Sequence, residues 1–348
     1  HRDLHSFPTR RSSDLTVTFG VNKIGLVCYP AAEYAGEVVV CDISFAPEAV
    51  ERQNISVNII EKVTIPKRSK NSFKCSFGKI FALCGSQGYT GAAYLSSVAA
   101  LKAGCGVVSL GIPFSIKDIM AQKLTEVITL PLADREGKLS VDCIPVIDKA
   151  ILQSNVLICG CGLGRSEAVT EVISHIINTS KIPVVLDADG INAIAGHKNI
   201  LRGKVCDLII TPHMGEMSRL LGIPIKDIEN NAIGVAKEFA AEYNVVTVLK
   251  GANTIIALPD GKLYINLGGN SGMATAGSGD VLAGIIGSFA AQGLSAGDAA
   301  VSGVFTHSRA GDFARASLGE YGMLSGDILN SIPYVLREED IINGGKSV

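Results

Sequence analysis

From Ile80 onward the chain alternates short, unbroken apolar runs with longer segments of helical periodicity, and this alternation constrains the fold more than any other feature. IFALC, GVVSLGI, NVLICG, PVVLDAD, DLIITP and VVTVLKG read as strands, and TIIALPDGKLYI as a hairpin turning at Pro-Asp-Gly. Strands buried on both faces are apolar throughout, whereas half-exposed strands alternate. The segments Ala92–Lys102, Glu216–Leu221, Asp227–Tyr243 and Asp280–Ala291 read as helices, each followed by a Gly or Asn suited to a left-handed cap. Strands joined through helices call for right-handed crossovers, so the predicted architecture is α/β: a three-layer α/β/α sandwich around a mostly parallel sheet.

The 348 residues, 47% hydrophobic and 18% charged, suffice for one large core plus an appendage and exclude a disordered or fibrous chain. A formal charge of -2 offers no footprint for a nucleic-acid backbone or an anionic membrane. Every apolar stretch is interrupted well short of a membrane span, so a protein without nucleic-acid or membrane partners is expected. The nine cysteines lie mainly within apolar runs, as in Leu83-Cys84 and Ile158-Cys159, which suits reduced thiols in the cytoplasm. Cys159 and Cys161 lack the paired spacing of a zinc site, and no metal ligands are assigned.

Residues 1–15 show no periodicity and are read as a leader or sequence artefact outside the fold. Their opening His1-Arg2-Asp3-Leu4 imitates a kinase catalytic loop, but Pro8 stands where that motif needs Asn. Two strand-like runs, TVTFG and EVVVCDI, follow within 16–66, and the polar stretch around Glu61–Lys79 reads as a linker.

Ligands of doubly wound sheets bind beyond the carboxyl ends of the strands, where this chain carries Gly, Asp, His and Thr. The densest such segment is the glycine loop Gly268–Asp280, which runs directly into VLAGIIGSFAAQG. Glycines let backbone amides approach a phosphate, and the helix end adds positive potential. Asp280 at the helix entrance suits either an N-cap or a base that accepts a hydroxyl proton during phosphoryl transfer. Lys250 ends a buried strand where its charge should meet solvent or an anion, and His213 in TPHMGE stands at a strand-to-helix turn, structural or functional. Asp187 and Asp189 suit either magnesium or helix capping. GCGLG lacks the remainder of a dinucleotide fingerprint, and no Walker motif occurs.

GSQGYTGAAYLSSVAALKAGCG, GCGLG, VVLDADGIN, TPHMGEMSRLLG, VLKGANT and GNSGMATAGSGDVLAGIIG, in this order, resemble the ADP- or ATP-dependent NAD(P)H-hydrate dehydratases of the ribokinase-like superfamily. The resemblance spans about Lys67 to Leu336, and the dehydratase domain is set at 67–340. It implies dehydration of hydrated NADH or NADPH (NADHX, NADPHX), with ADP or ATP as co-substrate and Mg2+ as cofactor. Ala92, Gly162, His213 and Asp280 would contact the hydrated nucleotide, with Asp280 catalytic. Lys250, Gly251, Ala252, Asn253, Thr254 and Gly279 would contact the adenine nucleotide. Cys161, Gly190 and Met214 depart from the family's usual residues. The run from Thr16 to Ser44 resembles the closing strands of an NAD(P)HX epimerase domain without its D-x-P-S-G loop, so residues 16–66 are expected to be a truncated remnant and linker. The resemblance favours a bacterial type of protein and ADP as donor, and a homo-oligomer is expected. The rival readings are a kinase for a small hydroxylated heterocycle and a silent nucleotide-binding module.

Overall fold

The computed structural model describes residues 12–46, 48, 52 and 55–344, with backbone alone for 341–344. The chain divides into two compact units, 1–58 and 59–348. Most of the expected leader lies outside the described residues, but its last residue, Leu15, opens a strand. In the first unit β1 (Leu15–Phe19) pairs in parallel with β2 (Glu37–Cys41), from Leu15 opposite Glu37 to Phe19 opposite Cys41. The two strand-like runs are thus strands.

The main sheet has ten strands, nine of them wholly within the second unit. In chain order its strands are β3 (Val57–Ile59), β4 (Lys79–Leu83), β5 (Val107–Pro113), β6 (Ile128–Leu132), β7 (Val156–Cys159), β8 (Val184–Leu186), β9 (Leu208–Ile210), β10 (Val246–Leu249), β11 (Thr254–Ala257) and β12 (Leu263–Asn266). Their spatial order is β3-β12-β11-β10-β9-β8-β7-β4-β5-β6. Seven strands from β10 to β6 pair in parallel, and β11 and β12 add the antiparallel hairpin that Pro-Asp-Gly predicts. β3 comes from the stretch expected to be remnant and linker, and just after it the Ile60 N–H donates to Ile265 at 3.1 Å.

Seven helices matter for the site: α1 (Thr90–Lys102), α2 (Glu167–Thr179), α3 (Met214–Leu221), α4 (Ala232–Tyr243), α5 (Ser278–Ala291), α6 (Ala296–Leu318) and α7 (Ser325–Gly344). The central strands β7 and β8 are buried at every residue, which is why they read as unbroken apolar runs. One apolar cluster joins Ile158, Val185, Ile209 and Val248 of the sheet to Leu282, Ala283 and Ile286 of α5. A second joins α1, α5, α6 and α7 through Ala99, Val281, Ile285, Phe289, Ala310 and Ile328. Helices cover the mostly parallel sheet to complete the α/β sandwich. The helix expected over Asp227–Tyr243 is in fact two, broken at Asn231. Asn231 departs from helical dihedrals, at φ of -143° and ψ of 45°, and its side chain caps α4 by accepting from the Gly234 N–H at 3.2 Å.

Candidate active site

The carboxyl ends of β7, β8, β9 and β10 carry Cys161, Asp187, Thr211 and Lys250 to one place. Asp187, 1% exposed, accepts from the Thr211 hydroxyl at 2.6 Å and from the Lys250 ammonium at 2.8 Å. The Cys161 thiol donates to its second oxygen at 3.8 Å. Lys250 also lies 3.9 Å from the buried Glu216 carboxylate. Burial works against its charge, but Asp187 and Glu216 outweigh that and hold its pKa above the ordinary value. Ala188, between Asp187 and Asp189, has φ of 49°, left-handed backbone that an alanine adopts only under constraint.

α5 brings Asp280 onto this cluster. Its N-cap is Gly277, at φ of 92°, with no side-chain cap, so Asp280 is the third helical residue and not the N-cap. Cys161, Asp187 and Asp280 place their ligand-type atoms within 4.8 Å of one another. Burial, then the neighbouring Asp187 charge, push the Asp280 carboxyl up to about 7. Such a carboxyl can exchange a proton near neutral pH. The Cys161 thiol, held well above its ordinary value by Cys84 and by burial, stays protonated.

Of the other expected residues, Gly279 and His213 adjoin this cluster, Gly162 follows Cys161 and touches Ala92, and Gly251–Thr254 follow Lys250 in the chain. A Cβ on Gly162, at φ of 64°, would stand 2.8 Å from that of Ala92, so the two lie in contact and only glycine fits. A Cβ on Gly279 would stand 3.1 Å from the Lys250 ammonium. The Lys250 N–H donates to Pro212 at 2.8 Å and forms a bridge that sets His213 beside it. Gly251 and Ala252 are exposed and Asn253 half-buried in the turn before β11, whose first residue, Thr254, is also half-buried. Lys250 thus meets an anion, one of the two environments the sequence suggested, and the anion is the protein's own pair of carboxylates, Asp187 and Glu216.

His213 has a structural task as well. Its Nδ1 accepts from the N–H groups of Gly215 at 2.9 Å and Glu216 at 3.3 Å, while Glu216 accepts from the His213 N–H at 2.9 Å. This is a capping box for α3. Burial is the main cause holding the His213 pKa below its ordinary value, which keeps the ring neutral.

Asp189, offered with Asp187 as a magnesium ligand, accepts from the Gly164 N–H at 2.9 Å and lies 3.8 Å from Arg165. Asp187 is satisfied by Lys250 and Thr211. A hard cation that prefers oxygen donors does not suit a cluster holding a thiol and an ammonium. These residues therefore do not form a dedicated magnesium site.

Sequence reasoning missed the residues that support the glycine loop. Asp312, Ser308 and His307 reach it from α6, a helix whose apolar pattern is too weak to announce it. Glu216 stands three positions after His213, the capping-box spacing, and that spacing is the signal that finds it.

A parallel α/β sandwich whose glycine loop runs into an acid-bearing helix defines the ribokinase-like class. A family model described as NAD(P)H-hydrate dehydratase matches residues 80–334. The chain belongs to this family. It is 40% identical over 333 residues to the bifunctional NAD(P)H-hydrate repair enzyme Nnr of Moorella thermoacetica, covering 94% of this chain and 63% of that protein. The chain therefore spans less than two thirds of that relative's length. It is 37% identical over 270 residues to the ADP-dependent (S)-NAD(P)H-hydrate dehydratase of Neisseria meningitidis, covering 75% of this chain and 86% of that protein. The crystal structure of the ADP/ATP-dependent NAD(P)H-hydrate dehydratase from Bacillus subtilis, co-crystallised with ATP and Mg2+, aligns at TM-score 0.68 and 26% identity. That alignment covers 79% of this chain and 95% of the other.

Proposed function

We propose that the chain catalyses the ADP- or ATP-dependent dehydration of NADHX and NADPHX to NADH and NADPH. The observation that carries the reading is Asp280: a carboxyl titrating near 7, close to the uncapped start of a helix that follows a glycine loop. In this reading Asp280 accepts the proton of the hydroxyl on the hydrated ring as that oxygen attacks the terminal phosphoryl group. The bond from phosphorus to the departing nucleotide oxygen breaks, and a phosphate ester forms on the ring. The ring nitrogen lone pair then expels phosphate to leave an iminium cation, and loss of a proton from the adjacent ring carbon restores the carbon-carbon double bond of the reduced nicotinamide. Backbone amides at Gly277–Asp280 face the charge that develops during transfer.

Ala92, Gly162, His213 and Asp280 are read as the hydrated-nucleotide side, and Gly251–Thr254 with Gly279 as the adenine-nucleotide side. Lys250 holds Asp187 between these sides. Magnesium, when bound, neutralises phosphate charge; it is read as arriving on the nucleotide, and no protein step depends on it. ADP is the preferred donor in this reading, supported by the name of the Neisseria relative. Within residues 16–66, those ahead of β3 are read as epimerase-type sequence, supported by the extent of the Moorella match, and those from β3 onward as the link into the main sheet. No helix among the described residues is long and apolar enough to cross a membrane. A cytoplasmic homo-oligomer completes the proposal.

The test is incubation with Mg2+, NADPHX and either ADP or ATP, followed by reduced-nicotinamide absorbance. Recovery of absorbance with at least one nucleotide is the expected result. A stable phosphate ester without recovery would convert the reading to a kinase, and no reaction with either nucleotide would overturn it.

A further inference from the structure

We propose that Asp312 is the positioning residue for the nucleotide subsite, acting through the glycine loop that joins β12 to α5. The inference rests on the reading of that loop as a phosphate cradle. Asp312 lies on α6, and its carboxylate accepts two hydrogen bonds from the loop. One carboxylate oxygen accepts from the Gly269 N–H at 3.2 Å, and the other from the Asn270 side-chain amide at 3.0 Å. The Asn270 oxygen in turn accepts from the Gly272 N–H at 3.1 Å and caps the single turn Ser271–Met273. The carboxylate thus fixes the Gly269 peptide N–H and the Asn270 side chain at the loop entry, where Gly269 has φ of 100°.

Three more residues of α6 act on the same loop. The Ser308 hydroxyl donates to Asn266 at 3.2 Å, and the Asn266 amide donates to the Gly268 carbonyl at 2.9 Å. Gly311 leaves room for the loop's Met273, since a Cβ there would stand 2.3 Å from the sulfur. His307, which burial pushes down to about 4 and so keeps neutral, shares a hydrogen bond with the Ser278 hydroxyl at 3.2 Å. Residues 307, 308, 311 and 312 recur at the spacing of one helix face. One rigid helix therefore ties the entry, middle and exit of the loop. Without that support a chain this rich in glycine would lose much conformational freedom on binding an anion, and affinity would fall accordingly.

The test is calorimetric binding of ADP in the presence of Mg2+ to the parent, Asp312→Ala and Asp312→Asn, with NADPHX binding measured beside it. Asp312→Ala leaves the Gly269 and Asn270 donors unpaired and is expected to weaken ADP binding roughly 10- to 100-fold. NADPHX affinity should stay within about twofold, and the nucleotide KM should rise more than kcat falls. Asp312→Asn keeps an acceptor for Gly269 but turns an amide against Asn270, so it should fall between the parent and the alanine variant. Should the alanine variant not fold, a measurable loss of ADP affinity in Asp312→Asn supports the inference, and parental affinity overturns it. Equal weakening of both ligands overturns it too. Failure of the parent to bind ADP would overturn the nucleotide reading itself, a result separate from any effect of Asp312.

Discussion

Two helices begin at the crevice, and they begin differently. α3 is closed: the His213 ring takes two of its free N–H groups, and Glu216 takes the N–H of His213. α5 starts from a left-handed glycine without a side-chain cap, and its third residue, Asp280, turns toward buried carboxylate and thiol. Capping satisfies donors and stabilises a helix, typically by about 1 kcal/mol, but it consumes the groups that could face a ligand. Leaving the end of α5 open keeps its positive potential available for an anion. Lys250 stands between the two ends, 3.9 Å from Glu216 and 3.1 Å from where a Gly279 Cβ would be.

The sharpest way to break this contrast is Asp280→Asn. Removing a proton acceptor typically costs about 100- to 10,000-fold, so kcat should fall by at least about two orders of magnitude with modest change in NADPHX binding. In the parent, kcat should rise with pH through about 7 as the carboxyl ionises. Stability should move in the opposite sense to loss of a cap. A carboxyl raised from 3.8 to about 7 in the folded state contributes stability that is complete below its ordinary value and lost as pH rises through about 7. Asp280→Asn should therefore melt above the parent at pH 8, and the gap should close toward pH 4. A lower melting temperature with turnover within about tenfold of the parent would remove Asp280 from catalysis.

A smaller effect is expected at the lysine that joins the two ends. Lys250→Met leaves Asp187 and Glu216 as buried carboxylates without their cation, a change that typically costs about 3 to 5 kcal/mol. Lys250→Arg keeps the charge and should lose less. Denaturant midpoints of both variants measure this, and a methionine variant as stable as the parent would show that the ion pair does not hold the crevice together.

Much of this was legible in the sequence, for identifiable reasons. The central strands announced themselves because both faces are buried, leaving no polar positions to blur the pattern. The glycine loop, the Asp280 helix and the terminating Gly222, Asn244 and Gly293 were legible because backbone conformations with positive φ leave few residue choices. α6 was not, because it packs through Ala299, Ser302, Gly303, Thr306, Ser308, Ala310 and Gly311 and so carries no large apolar stripe. Missing that helix hid His307 and Asp312 with it. β6 was hidden by Pro131 and by exposure at the sheet edge, where Ile128 is 58% exposed. The inward turn of Lys250 depends on Asp187 and Glu216 arriving from other elements, which no local pattern records.

The smallest effect, and the one that tests the closed end of the comparison, belongs to His213. Removing its ring leaves the Gly215 and Glu216 N–H groups without their acceptor, so His213→Ala should cost about 1 kcal/mol of stability. His213→Asn supplies another good capping group and should restore most of it. Because the folded-state pKa lies below the ordinary value, the ring contributes stability present above its ordinary pKa and lost as pH falls through the folded one. That matches the geometry, since a proton on Nδ1 removes the acceptor for both N–H groups. The parent and alanine variant should accordingly converge in melting temperature as pH falls below the ordinary histidine range and through the lower folded-state value, where the ring no longer caps. Binding separates the two tasks of the residue. If the ring also contacts NADPHX, both variants should bind it more weakly while only alanine melts early; if asparagine restores affinity together with stability, His213 serves the helix alone.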